Sequence, residues 1–84
     1  MDPRTRENIE FLEKNGYRYL FDRDLFVNYE SKKCFSLEYV EDHRDLIREL
    51  ALRPNHTRGW EFHFNRAPSP ALQQEITQVL ADAA

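Results

Sequence analysis

The chain has 84 residues, the size of one small domain, and we expect residues 1–84 to form a single domain. Hydrophobic residues at 40% and charged residues at 32% are typical of a globular protein, and the net charge of −3 argues against binding to double-stranded nucleic acid. With no apolar run long enough for a membrane span or a signal-peptide core, and with a single cysteine, Cys34, we expect a cytoplasmic protein with no membrane partner.

The first predicted helix covers about residues 3–15. Asp2 followed by Pro3 is typical of a helix start, because the carboxylate accepts from free backbone amides and proline suits the first helical position. Asn15 and Gly16 then predict the end of the helix, since glycine adopts the left-handed conformation at low cost.

Residues 17–40 alternate between apolar and polar side chains and are punctuated by polar turns, which predicts a three-stranded meander. A second interpretation makes Ser36 an N-cap and runs one helix from Leu37 to Leu52. We favour the strand, followed by a second helix over about 42–53 that begins at Asp42.

Residues 59–64 alternate again and predict a fourth strand. Ser69 and Pro70 repeat the signal of the first helix start. The last helix then carries an apolar stripe formed by Leu72, Ile76, Val79 and Leu80. These elements predict an α+β fold: a two-layer sandwich in the order α-β-β-β-α-β-α, with a largely antiparallel four-stranded sheet and helices mainly on one face. The fourth strand could pair with either the first or the third.

The more apolar face of each strand is expected to lie under the helices. That face would hold Tyr17, Tyr19, Phe21, Leu25, Val27, Tyr29, Phe35, Leu37, Tyr39, Trp60, Phe62 and Phe64. The opposite face would hold Arg18, Leu20, Phe26, Asn28, Cys34, Ser36, Glu38, Val40, Glu61 and His63.

That opposite face is mixed in character, which suggests a surface that binds a protein partner or a second copy of the chain. We expect Phe26 and Leu20 as apolar anchors, with Arg18, Asn28, Glu61 and His63 as the polar rim; an edge strand is an alternative route to the same function. The competing explanations are a helix folded over this face, or single exposed apolar residues of no special role.

Catalytic, metal and cofactor sites have little support in the sequence. Glu61 and His63 lie two apart and would share a strand face, as in an acid/base pair, and Cys34 could serve as a nucleophile. The three histidines and one cysteine show no chelating spacing, and two glycines leave no phosphate loop, so we expect no metal and no cofactor. A small acid/base enzyme is kept as an alternative to a non-enzymatic interaction module.

The predicted order α-β-β-β-α over residues 3–53 resembles double-stranded-RNA-binding domains in element order alone. Those domains carry a lysine cluster at the start of the second helix, whereas residues 41–45 of this chain read Glu-Asp-His-Arg-Asp. The difference removes the phosphate contacts. Binding of single-stranded nucleic acid by aromatic stacking stays as a further alternative, with Arg18, Tyr17, Tyr19 and Phe26 as candidate platforms.

Overall fold

The computed structural model describes residues 1–83. Its elements are α1 (Pro3–Lys14), β1 (Arg18–Leu20), β2 (Leu25–Asn28), β3 (Lys33–Ser36), α2 (Leu37–Asp42), α3 (Ile47–Leu52), β4 (Glu61–His63) and α4 (Pro70–Ala83). The strands form one sheet in the order β1-β2-β3-β4. β1 pairs with β2 and β2 with β3 in antiparallel fashion, whereas β4 runs parallel to β3.

The predicted α+β class with a largely antiparallel four-stranded sheet is confirmed. The observed order is α-β-β-β-α-α-β-α, because α3 lies within the predicted second helix and an additional helix, α2, begins at Leu37, inside the predicted third strand. The fourth strand lies beside the third, and the helical segment between them supplies the crossover that a parallel pair requires. None of the helices within residues 1–83 combines the length and the apolar character needed to cross a membrane.

Both predicted helix starts at proline are confirmed. The Asp2 carboxylate accepts hydrogen bonds from the amides of Arg4 and Thr5, at 2.8 and 3.4 Å. The Ser69 hydroxyl accepts from the amide of Leu72, at 3.2 Å. These caps satisfy amides that the first turn of a helix leaves free.

The segment after β3 differs from the favoured prediction. The third strand ends at Ser36, whose hydroxyl accepts from the Tyr39 amide at 3.1 Å and begins α2. Asp42 therefore ends a helix and does not begin one. The alternative of one helix over 37–52 is correct about the cap at Ser36 but wrong about continuity, because turns at 43–46 separate α2 from α3.

The pairing register decides which side chains share a sheet face. Tyr19 lies opposite Phe26, Phe26 opposite Phe35, and Phe35 opposite His63. Leu20 lies opposite Leu25 on the other face. The predicted register between neighbouring strands is therefore wrong by one residue in each case. Because a shift of one residue exchanges the two faces, residues predicted to share a face on neighbouring strands lie on opposite faces.

One face of the sheet, called here the three-helix face, packs against α1, α2 and α3. Its buried cluster consists of Leu12, Tyr17, Phe26, Phe35, Val40, Ile47 and Ala51. The other face, called the α4 face, packs against α4 through a cluster of Leu25, Val27, Cys34, Ile76 and Leu80. Three of the four helices thus share one face, as expected, but the expectation of a second face without a helix is wrong.

Candidate functional site

The six residues predicted to form one interaction surface are divided between the two sheet faces. Arg18 and Leu20 belong to the α4 face, while Phe26, Asn28, Glu61 and His63 belong to the three-helix face. The structure therefore brings together two separate groups, and no single partner could contact all six through one side of the sheet.

The prediction that Phe26 is an exposed anchor is wrong. It is 1% exposed and stacks on Tyr19, with ring centroids 4.9 Å apart. Tyr17 is also buried, and its hydroxyl donates to the carbonyl of Ala51 at 3.0 Å. Burial raises the pKa of Tyr17 to about 12. Two of the aromatic rings suggested for stacking on single-stranded nucleic acid are therefore inaccessible.

Asn28 supports the chain locally. Its side-chain carbonyl accepts from the amides of Glu30 and Ser31, both at 3.0 Å, and its amide donates to the carbonyl of Asn15 at 3.2 Å. These bonds shape the turn after β2 and tie it to the end of α1, which is a structural role.

Glu61 and His63 do lie together, as the sequence predicts, and they belong to a larger polar cluster. Oε1 of Glu61 is 2.5 Å from Nε2 of His63, 3.6 Å from Arg53 and 3.9 Å from Nζ of Lys33. The Glu61 side chain is 13% exposed and that of His63 is 11% exposed. One nearly buried carboxylate thus contacts three basic side chains.

Lys33 anchors this polar cluster to the end of α3. Its side chain is fully buried, and Nζ donates hydrogen bonds to the backbone carbonyls of Leu50 and Arg53. A cation there satisfies acceptors that the last helical turn leaves free. Burial lowers the pKa of Lys33, while the nearby Glu61 carboxylate acts in the opposite direction.

The imidazole of His63 is held between the carboxylate and the aromatic core. Its ring stacks on Phe35, with centroids 4.5 Å apart. Burial lowers the pKa of His63 below its usual 6.5, and the Glu61 carboxylate opposes that shift. Glu61 lies near three basic side chains, and His63 contacts Glu61 and the rings of Phe35 and Tyr39, so both side chains belong to one network of structural contacts.

The lowered pKa of His63 predicts a pH dependence of folding. The unfolded chain protonates this group first as the pH falls through 6.5, so the contribution of His63 to stability is fully present above that pH and is lost below it. We expect the free energy of unfolding, measured with urea, to fall as the pH is lowered from neutral through 6.5. The His63→Gln variant should show a smaller fall, and an identical fall in both proteins would contradict this role of His63.

Cys34 lies in the α4-face cluster with no exposed surface, and burial raises the pKa of its thiol to about 12. A protonated, enclosed thiol is a packing group and not a nucleophile. Within residues 1–83, no three His, Cys, Asp or Glu side chains lie close enough to hold a metal ion together.

An apolar groove that the sequence does not predict lies between α4 and the β1–β2 hairpin. Its volume is about 280 Å³, and it is lined by Leu25, Phe64, Leu72, Ile76 and Val79 together with the charged residues Arg23 and Glu75. Arg23 and Glu75 form an ion pair of 3.5 Å between the hairpin and the helix. We call this feature the α4 groove.

The α4 groove exists because α4 covers its sheet face incompletely. Of the described side chains of this helix, only Ile76 and Leu80 are buried, and Leu72 remains 43% exposed. Leu20, Tyr29, Trp60, Phe62 and Phe64 on the same side are only partly buried. The apolar stripe of the last helix was the available sequence signal, but its fit to the sheet could not be derived without the register.

No protein-family model matches this chain, and comparison with curated proteins and with solved structures finds no match either.

Proposed function

We propose that this chain is a small non-enzymatic interaction module that binds a protein partner through the α4 groove. The observation that carries the proposal is an apolar groove with an exposed leucine, Leu72, at a place where helix and sheet do not close. Contiguous apolar surface rimmed by charged groups is typical of protein-binding sites.

The chemistry of the lining supports a protein as the ligand. Five of the seven lining residues are apolar, and the two charged ones neutralise each other. A small polar metabolite would need several convergent polar groups for orientation, which this lining does not provide. A hydrophobic side chain of a partner fits it better.

A stable interface covers roughly 800 Å² on each partner, so the contact must extend beyond the groove. Phe21 is a suitable second anchor, because it is 80% exposed in the turn that connects β1 to β2, two residues before Arg23. Aromatic side chains provide much of the binding energy at protein interfaces.

The proposal is tested by affinity capture from the organism that encodes the chain, with Leu72→Gln and Leu52→Gln as a matched pair. Both leucines are exposed helix residues, but Leu52 lies at the end of α3 and does not line the groove. We expect proteins retained by the wild type and by Leu52→Gln to be lost with Leu72→Gln.

Loss of a central apolar anchor costs about 2 kcal/mol of binding free energy or more, which is roughly thirtyfold in affinity. Retention of the same proteins by all three baits would contradict the assignment of the groove. Sedimentation equilibrium of the isolated chain separates a different protein partner from self-association, and we expect a monomer.

A further inference from the structure

We infer that the partner segment bound in the α4 groove carries an apolar anchor next to lysine or arginine side chains. This inference rests on the proposed function and specifies the chemistry of the partner. The inference is based on the charged side chains that border the groove on the side of β2 and α2.

A second depression begins where the groove ends. It is lined by Arg23, Asp24, Ser36, Leu37, Glu38 and Glu41, and it shares Arg23 with the groove. The Leu37 amide donates to the Asp24 carbonyl at 2.9 Å, so the start of α2 is fixed against the start of β2. The apolar lining and the three carboxylates therefore adjoin each other across Arg23.

The three acidic side chains are available to a partner. Asp24 accepts a hydrogen bond from the Tyr19 hydroxyl at 2.6 Å, which leaves its negative charge in place. In the described part of the chain, Asp24, Glu38 and Glu41 form no ion pair with a basic side chain, and all three are exposed.

Two basic residues also border this surface and must be weighed against the acids. Arg23 is paired with Glu75 at 3.5 Å. Arg66 lines a third depression, which joins the groove at Phe64 and the acidic depression at Ser36 and Glu38. Pairing of Arg23 with Glu75 leaves three carboxylates against one arginine, so the local potential favours a cationic segment.

The geometry also gives the segment a direction. Its apolar side chain would lie between Leu72 and Val79, and its basic side chains would extend past Arg23 towards Glu38 and Glu41. Nucleic acid is disfavoured at this surface because phosphates would approach exposed carboxylates.

Two short synthetic peptides, each labelled with fluorescein, test the inference by fluorescence anisotropy. They share one leucine-rich end and differ only in carrying lysines or glutamates at the other end. We expect the lysine peptide to bind the wild type at least about tenfold more tightly than the glutamate peptide does, and to bind more weakly as NaCl is raised.

The two matched double variants change the net charge by the same amount but at different places on the surface. Glu38→Lys with Glu41→Lys should weaken binding of the lysine peptide by about tenfold or more. Glu10→Lys with Glu13→Lys, at exposed positions of α1, should leave it nearly unchanged. Equal loss in both double variants would show a net-charge effect and would overturn the inference.

Equal binding of the two peptides, or binding of neither, also overturns the inference. The proposed function is judged separately by the capture experiment with Leu72→Gln. If binding of a partner depends on Leu72 but is unchanged by the charge reversals at Glu38 and Glu41, the proposed function is supported. The inference that the partner segment is basic is then contradicted.

Discussion

Replacement of Phe26 by alanine is expected to lower the free energy of unfolding by about 3–5 kcal/mol. The ring is buried in the three-helix cluster, where it lies with side chains from α1, α2 and α3. Its removal loses the transfer free energy of the ring and leaves a cavity that the surrounding helices fill only in part. Urea or thermal unfolding followed by circular dichroism measures the effect.

Phe21→Ala is the matched control, because the same atoms are removed from a ring that is 80% exposed. We expect this variant to change stability by about 0.5 kcal/mol or less. The alternation of the strands predicts Phe26 on an exposed interaction face. A Phe26→Ala variant with wild-type stability would therefore support an exposed Phe26 and contradict its burial in the three-helix cluster.

Glu61→Gln is expected to destabilise the fold by about 3 kcal/mol. The substitution keeps the size of the side chain but removes the negative charge that Lys33, Arg53 and His63 share. The cation of Lys33 then stays buried without a counter-charge, which costs far more than the loss of an exposed ion pair.

Glu75→Gln is the matched control for this substitution. Its ion pair with Arg23 joins two half-exposed side chains, and we expect a loss of about 1 kcal/mol or less. Chemical denaturation of the two variants under identical conditions gives the comparison. Equal losses would contradict the structural role of the cluster around Glu61.

The four strands and the helices that begin at Pro3 and Pro70 were predictable, since caps such as Asp2 and Ser69 and the alternation of the strands are local signals. The helix that begins at Leu37 was not favoured, because its residues also alternate as a strand does. Which strand residues share a face of the sheet could not be predicted from the sequence. The first three residues of β2 and of β3 are buried on both sides, so alternation in the sequence carries no information about which side is the core.

The lysine at position 33 illustrates the same limit. Its place in the sequence predicts a polar turn, yet its ammonium group lies inside the fold at the end of α3. That position depends on the parallel pairing of β3 with β4, which brings Glu61 beside it. Contacts between residues so distant in the chain cannot be derived from local composition.

Of the candidate site, the sequence predicted that Glu61 and His63 lie together, because two residues of a strand at this spacing share a face. It missed the α4 groove. The groove depends on how the stripe of Ile76 and Leu80 fits the sheet, and an amphipathic stripe specifies that a helix packs but not how completely it covers its partner.

Nuclear Overhauser effects between methyl groups and aromatic rings test most directly which face each strand residue occupies. The account predicts cross-peaks from the methyl groups of Ile76 and Leu80 to those of Val27, and from the Phe26 ring to methyl groups of its own cluster such as Val40. Cross-peaks between the Phe26 ring and the methyl groups of Ile76 or Leu80 would contradict it, because the two sheet faces would then be exchanged.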